Sequence, residues 1–464
     1  MNRRKFLGQL SCATLGYTTL YSSLINLRAI NAAALADSAT AAAGGYKAMV
    51  CVLLSGGNDS YNMLVPTEQT HYRTYQTTRS NLAIPRNDLL NLHSPHTGTG
   101  NFGIHPGMSE VKSLFDQEKI AFITNVGTLV EPTTRDQFYS GNHPLPLGLM
   151  SHSDQIQQWQ TGLPHQRSGT GWGGRVAELV QSMNSNQKIS MNISLSETNV
   201  FQQGNEILEY AISPYGTTGI YGDDSTWDLD ILQHAAMNKM LDQQYQDIYK
   251  QTYVNTIKTS LSATREFQDT MNNAPELVSE FSDNYLSRSF QMIARVISAQ
   301  ADLGFERQIF FVNFGGWDHH DAVLESQADM LPILSRALSE FQTALAEINK
   351  EQEVTTFTIS DFARTLTSNG DGTDHAWGGH TIVMGGDVKG GRIYGDYPSL
   401  ELQNPLDLGN GIMIPTTSAD QYFAELALWF GVSRSDAMDL FPHLHNFYNP
   451  QSGGQPLGFL NTMS

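Results

Sequence analysis

The chain has 464 residues, of which 40 % are hydrophobic and 16 % are charged, and its formal net charge is −19. This apolar content excludes a disordered chain and is ample for a large core. The first 36 residues contain basic but no acidic side chains, so the remainder is more acidic still. Because no basic run offsets that charge, nucleic acid is excluded as a partner.

The first 36 residues have the pattern of an export signal. Arg3-Arg4-Lys5-Phe6-Leu7 is typical of a twin-arginine signal, and a mildly apolar stretch interrupted by Gly, Ser and Thr follows it. Ala34-Leu35-Ala36 is a small-x-small cleavage pattern. We expect the twin-arginine translocase to deliver the protein to the periplasm or beyond, with cleavage after Ala36. The alternative is a segment kept as a membrane anchor.

Cysteine usage restricts the chemistry of the exported part. Cys12 lies within the signal, so Cys51 is alone after cleavage. A single cysteine excludes an intrachain disulfide, thiolate zinc sites and iron–sulfur clusters. Any metal site in residues 37–464 must therefore use histidines and carboxylates.

Short apolar segments that end in Gly-rich or polar turns predict the strands of a central sheet. In chain order they are Lys47–Leu54, Ile120–Val126, Gln308–Phe314, Val354–Ile359 and Thr381–Met384. Because the runs are apolar on both faces and separated by helical segments, we predict an α/β fold with a mixed, largely parallel sheet and helices on both faces. Helical spacing dominates residues 226–303, and we expect one domain over residues 37–464 with this stretch as a helical insertion.

Carboxylates and imidazoles follow the predicted strands at the edge where ligands bind in open α/β sheets. These candidate metal ligands are Asp59, Asp318, His320, Asp361, Asp374, His375 and His380. Mixed nitrogen and oxygen ligands suit Zn²⁺, Mn²⁺ or Fe, and we expect one or two ions. The alternative for each residue alone is turn formation, helix capping or an exposed loop histidine.

A second polar cluster, Ser151-His152-Ser153-Asp154, has the character of a helix start. Helix capping explains it, but a serine at a helix N-terminus can also act as a nucleophile on a bound phosphate or sulfate. We take Ser151 as the candidate nucleophile and Arg364 as a candidate contact for the anionic group. No Walker loop, Rossmann Gly-x-Gly-x-x-Gly or Gly-x-Ser-x-Gly elbow occurs in the sequence.

Taken together, these motifs resemble the twin-arginine-exported family called domain of unknown function 1501, within the alkaline phosphatase and sulfatase-like superfamily. The resemblance rests on Ser55-Gly56-Gly57-Asn58-Asp59, His105-Pro106, Ser151-His152-Ser153-Asp154, Gly171-Trp172-Gly173-Gly174-Arg175, Gly316-Trp317-Asp318-His319-His320, Ser360-Asp361-Phe362-Ala363-Arg364-Thr365, Thr373-Asp374-His375, Met384-Gly385-Gly386 and Pro415-Thr416-Thr417-Ser418. It covers nearly all of the chain after the signal and implies an alkaline phosphatase-like fold.

The resemblance also implies a site with two metal ions. Asp318, His320 and His380 would hold one ion, and Asp59 and Asp361 would hold the other with Asp374 or His375. The Asp-His pair that the superfamily has at the fourth strand is Asp361-Phe362 in this chain. Only His375 could replace the missing imidazole, so a mononuclear site or a relic without catalysis are the alternatives.

The expected function is metal-dependent hydrolysis of phosphate or sulfate esters, acting on an anionic small molecule or glycan. The alternative is a non-catalytic exported protein that keeps the fold to bind a glycan or a partner protein. Metal-dependent redox chemistry is a third reading, which no motif specifically supports.

Overall fold

The computed structural model of the protein describes residues 45–93, 96, 101–216 and 227–461. The predicted export signal, residues 1–36, lies outside the described residues. Within the described ranges, no helix combines the length and the apolar composition that a membrane crossing requires.

Twelve strands occur among the described residues. They are β1 Lys47–Leu54, β2 Leu64–Pro66, β3 Leu90–Asn91, β4 Phe102–Ile104, β5 Ile120–Gly127, β6 Asn192–Ser194, β7 Tyr210–Ala211, β8 Arg307–Asn313, β9 Val354–Ser360, β10 Gly379–Gly385, β11 Ile393–Tyr394 and β12 Thr417–Ser418. Nine of them form one sheet in the order β11-β5-β10-β9-β1-β8-β6-β7, with β12 paired to β5. β2, β4 and β3 form a separate small sheet.

The described residues also form α-helices, several of which pack against this sheet. Their bounds are Ser60–Met63, Gln69–Arg79, Ser109–Asp116, Arg135–Ser140, His152–Thr161, Trp172–Val180, Asp228–Leu241, Ile248–Asn273, Tyr285–Ser298, Val323–Glu347, Ala419–Phe430 and Arg434–Leu440. The stretch predicted to be helical, residues 226–303, contains the helices Asp228–Leu241, Ile248–Asn273 and Tyr285–Ser298.

The central sheet is mixed and largely parallel, as predicted. β1 pairs in parallel with β8 and with β9, and every residue of β1 is buried. β10 runs antiparallel to both of its neighbours, β9 and β5. Strands that are buried on both faces read as continuous apolar runs, which is why these segments could be recognised from the sequence.

Local sequence signals set the ends of several helices. Ser418 and Gln421 form a capping box at the start of Ala419–Phe430, and Gly431 ends this helix with φ 115°. Asn284 accepts a hydrogen bond from the Ser287 N–H and begins Tyr285–Ser298, whose apolar side is buried.

The topology brings several loops to one edge of the sheet. β1, β8 and β9 are parallel neighbours, so the chain leaves all three at the same edge. β10 is antiparallel and therefore starts at that edge. The loops that carry most of the predicted site residues thus meet there.

Candidate metal centre

Three histidines and one aspartate converge at this edge of the sheet. The His320 Nε2 lies 3.2 Å from Asp318 Oδ1 and 2.9 Å from His375 Nε2. The His375 Nε2 lies 3.5 Å from the same aspartate oxygen. The other oxygen, Asp318 Oδ2, is 3.4 Å from the Nε2 of His152, the first residue of the helix His152–Thr161. We call these four residues the metal cluster.

The second nitrogen of each imidazole faces an oxygen acceptor. The Nδ1 of His152 is 2.8 Å from Asp361 Oδ2, and the Nδ1 of His375 is 2.8 Å from the carbonyl oxygen of Met150. The Nδ1 of His320 is 3.2 Å from Asp374 Oδ1. An oxygen without a proton can only accept, so we assign an N–H to each Nδ1, and the three Nε2 atoms keep their lone pairs.

This donor set fits a divalent transition metal. Three imidazole lone pairs and one carboxylate that face each other repel unless a cation or a proton lies between them. Ligands of a tetrahedral zinc ion with bonds of about 2 Å are about 3.3 Å apart. The ligand atoms of His152, Asp318 and His375 all lie within 4.8 Å of one another. His320 adds Nε2 contacts of 3.2 Å to Asp318 and 2.9 Å to His375. The Nε2 of His152 is buried and has no hydrogen-bond partner among the described residues. Anchored Nδ1–H groups are also the usual support of metal-binding histidines.

Asp361 is a buried residue that holds His152 of the cluster by a hydrogen bond. Its side chain is 2 % exposed, its Oδ1 accepts a hydrogen bond of 3.0 Å from the Gly56 N–H, and its Oδ2 faces His152. Gly56 has φ 119°, and a Cβ on it would lie 2.5 Å from the backbone nitrogen of Asp318. Only glycine therefore allows the loop after β1 to approach this closely.

Arg364 is buried and connects the loops around the cluster by hydrogen bonds. Its Nε donates to the Gly57 carbonyl at 2.8 Å and its Nη1 to the Thr373 carbonyl at 3.0 Å. Its Nη2 donates to the Gly56 carbonyl and to Asp318 Oδ1. Because protein oxygens take these donors and the side chain has no exposed surface, Arg364 positions Asp318.

The environment shifts two pKa values in the cluster. Partial burial tends to raise the pKa of Asp318, but the hydrogen bond and charge of Arg364 and the nearby imidazoles hold it below its ordinary value. Burial lowers the pKa of His375, although the Met150 carbonyl opposes this. Both shifts favour the forms that bind a metal, the carboxylate and the neutral imidazole.

The structure does not bring two of the predicted ligands, Asp59 and His380, to the cluster. Asp59 Oδ2 is 2.6 Å from Nη2 of Arg79, and neither side chain has exposed surface. His380 Nδ1 accepts a hydrogen bond of 3.1 Å from the Asn125 N–H, so the proton of the neutral ring is on Nε2. Burial lowers the pKa of His380 to about 3, and neither of its nitrogens offers a lone pair to an ion.

The remaining predicted residues lie beside the cluster. Asp374 accepts hydrogen bonds from His320 and from the Asn369 amide, and 59 % of its side chain is exposed. Ser151 immediately precedes His152 as the N-cap residue of its helix, and its Oγ is 3.1 Å from Ser153 Oγ.

His152 is the member of the cluster that the sequence did not reveal as a ligand. It lies between two serines at the start of a helix, where helix capping explains the pattern. The sequence does contain an indication of this role, because a histidine lies at the start of a predicted helix. The other candidate ligands follow strands.

The protein is therefore an α/β protein with a cluster of histidines and one aspartate at the carboxyl ends of its parallel strands. The chain belongs to the family described as "protein of unknown function (DUF1501)", which matches residues 46–439. No curated protein matches the sequence.

Several solved structures are similar to the chain. One is Ps i-CgsB in complex with k-i-k-neocarrahexaose, with 11 % identity, a TM-score of 0.35 and coverage of 88 % of this chain and 77 % of that one. Another is the C-terminal periplasmic domain of EcEptC from Escherichia coli in complex with Zn, with 8 % identity, a TM-score of 0.36 and coverage of 84 % of both chains. A third is the PsFucS1 sulfatase from Pseudoalteromonas sp., with 10 % identity, a TM-score of 0.33 and coverage of 86 % and 70 %.

Proposed function

We propose that this protein is an exported hydrolase of phosphate or sulfate esters that depends on one divalent transition metal, Zn²⁺, Mn²⁺ or Fe²⁺. The metal cluster, His152, Asp318, His320 and His375, would hold the ion. The observation that carries the proposal is the convergence of three Nε2 lone pairs on one carboxylate, with each Nδ1 anchored to an oxygen.

A single ion is favoured over the two that the family resemblance implies. Asp59 would belong to the second ion, but Arg79 already compensates its charge at 2.6 Å. The Arg79 guanidinium also donates to Asn62 Oδ1 at 3.1 Å and to the Thr365 carbonyl at 3.0 Å, which fixes its position. Arg364 also contacts Asp318, but the Asp318 side chain is 47 % exposed whereas Asp59 has no exposed surface. An ion therefore reaches Asp318 more readily than Asp59.

The ion and the side chains of the protein would make different contributions to catalysis. A bound divalent metal polarises an ester oxygen and lowers the pKa of the attacking group. Asp361 and the Met150 carbonyl orient two of the imidazoles, and Arg364 fixes Asp318 and lowers the pKa of its carboxyl group. Ser151, beside His152 at the start of a helix, is the proposed nucleophile, because a helix N-terminus stabilises an anionic group.

Metal content tests the proposal. The purified protein is compared with an Asp318→Ala/His320→Ala double variant by elemental mass spectrometry. Asp321→Ala removes a nearby exposed carboxylate and is the matched control. We expect about one equivalent of Zn, Mn or Fe in the protein and in the control, and none in the double variant. A metal-free protein, or metal retained by the double variant, would contradict the proposal.

Hydrolysis is then measured with 4-nitrophenyl phosphate and 4-nitrophenyl sulfate on the metal-loaded protein. Turnover of either ester that disappears in the double variant and falls in Ser151→Ala supports the hydrolase. Turnover unchanged in Ser151→Ala removes the serine from the mechanism and leaves water as the nucleophile.

One observation favours the second candidate, a non-catalytic exported binding protein. Arg364, the arginine nearest to the cluster by its contacts, is buried and donates to protein oxygens, so it does not reach an anionic ester. Asp374 adds negative charge at the exposed side of the cluster. Stoichiometric metal with no turnover of phosphate or sulfate esters would support this candidate.

A further inference from the structure

The helix Asp228–Leu241 is apolar in composition but hardly packed. Among its 14 residues only Leu241 is buried. Leu229, Leu232 and Met240 are 65 %, 66 % and 61 % exposed. Helices of this length are marginal in water unless an apolar face packs against a partner. Its exposed apolar side chains are therefore available to a partner.

Four exposed side chains of this helix lie along one side of it. At about 100° per residue, Leu229, Leu232, Ala236 and Met240 lie within about 80° of one another around the helix axis. Ile231 points about 140° away from the centre of this stripe. A stripe of this width with a spacing of three to four residues is typical of a helix that packs lengthwise against another helix.

The charges along the helix make it complementary to itself. Asp228 and Asp230 lie in its first turn and Lys239 lies in its last turn. When two copies run antiparallel, the acidic start of each faces the Lys239 of the other, and Leu229 faces Met240 of the second copy. The two helix dipoles point in opposite directions in this arrangement, and the interaction between them is favourable. A two-fold interface of this kind needs only one self-complementary surface.

Exposed apolar side chains continue beyond this helix. Ile248, Tyr249 and Tyr253 at the start of the following helix are exposed by 73 %, 85 % and 67 %. Two chains with a net charge of −19 each repel, and this nearly neutral helix is a surface where the repulsion is small.

We infer that the protein forms a symmetric homodimer through the helix Asp228–Leu241, packed antiparallel against the same helix of a second copy. The stripe Leu229, Leu232, Ala236 and Met240 is the centre of this interface. The inference rests on the charges and exposure of this helix and is independent of the metal cluster.

Sedimentation equilibrium of the purified protein tests the stripe. We expect a concentration-dependent dimer, and we expect Leu232→Glu to raise its dissociation constant roughly 100-fold because a charge would be buried against leucine. Ile231→Glu, outside the stripe on the same helix, is the matched control and should change the dissociation constant less than about threefold. Circular dichroism melting checks that both variants remain folded.

A charge exchange tests the antiparallel arrangement. Lys239→Glu makes the helix uniformly acidic, and Asp228→Lys/Asp230→Lys makes it uniformly basic. Each variant alone should dimerise about tenfold more weakly, while an equimolar mixture should form a heterodimer at least as tight as the original dimer. The weakening of each variant alone is expected only in the antiparallel pair, because in a parallel pair each end of the helix already faces its own like charge. The recovery in the mixture shows that the charges of the two helices face each other.

Three outcomes would overturn the inference. They are a monomer up to about 100 μM, a Leu232→Glu variant that dimerises as tightly as the original, and a mixture that does not recover. Binding of the monomer to neutral phosphatidylcholine vesicles, lost in Leu232→Glu, would assign the stripe to a lipid surface and contradict the dimer.

Discussion

The metal cluster and the helix Asp228–Leu241 differ in how their side chains are held. In the cluster each imidazole is fixed by a second hydrogen bond, and Asp318 is held by a buried arginine. In the helix one residue of 14 is buried. Preorganised polar groups are suited to bind an ion without moving, whereas an exposed apolar stripe is suited to bind a surface. If both proposals hold, one chain carries two kinds of recognition, and each can be disrupted separately.

The largest expected effect comes from Asp318→Asn, which replaces the ligand carboxylate with a neutral amide of the same size. The three lone pairs would then face no anionic ligand, and metal affinity should fall about 1000-fold or more. Isothermal titration with Zn²⁺ measures this, while the dimer measured by sedimentation should not change. An affinity within tenfold of the original would mean that Asp318 is not a ligand.

The packed part of the chain also contains a buried acid that makes its stability depend on pH. Burial raises the pKa of Asp420 to about 8 from 3.8, although the His443 N–H and Arg175 oppose this. Below pH 4 the group is protonated in both states and has no effect on stability. Between pH 4 and 8 the unfolded chain releases the proton first, so stability falls as pH rises.

Asp420→Asn cannot ionise and should remove this dependence. The variant should gain stability over the original protein by up to roughly 1 kcal/mol per pH unit between pH 4 and 8, with no gain below pH 4. Urea unfolding at pH 4, 6 and 8 measures the difference. A difference that is constant with pH would show that Asp420 is ionised in the fold.

The outer support of the cluster gives a smaller effect. Asp361→Asn weakens the acceptor of the His152 Nδ1–H, and metal affinity should fall about 10- to 100-fold, as it does when a carboxylate that accepts a hydrogen bond from a metal-binding imidazole is replaced. Asp374→Asn is the internal comparison, because Asp374 is 59 % exposed and water can replace its hydrogen bond to His320. Equal losses in the two variants would show that burial of Asp361 has no role.

The smallest effect is expected in the exposed helix. At concentrations where the protein is monomeric, Leu232→Ala should change the free energy of unfolding by less than about 0.5 kcal/mol. Leu334→Ala, at a fully buried position of the helix Val323–Glu347, should cost about 2–5 kcal/mol. Chemical denaturation at low protein concentration compares them. A large cost for Leu232→Ala would place this side chain in the core instead of an interface.

The sequence predicted the sheet more completely than the site. β1, β5, β8, β9 and β10 are buried on both faces, and such strands appear as apolar runs that end in turns. The antiparallel direction of β10 has no such signal, because the pairing of a strand depends on distant neighbours. The family was likewise recognisable from motifs spread along the chain.

The site was only partly predictable because side-chain direction and pairing depend on tertiary contacts. Asp318, His320 and His375 follow strands and could be found, whereas His152 is on a helix whose orientation the sequence does not specify. Asp59 follows a strand in the same way, yet Arg79 from the helix Gln69–Arg79 takes its carboxylate. His380 faces the interior, where the Asn125 N–H occupies its Nδ1 lone pair.

The positions of the four cluster residues along the chain have a consequence for assembly. They come from position 152 on one helix and from positions 318 to 375 on two loops, so no short segment contains the complete set. An ion would therefore bind only after the helix and both loops have docked, and it would stabilise the finished fold over every partly folded form. If the twin-arginine route carries the folded chain, metal selection takes place before export, among the ions of the compartment in which the chain is made.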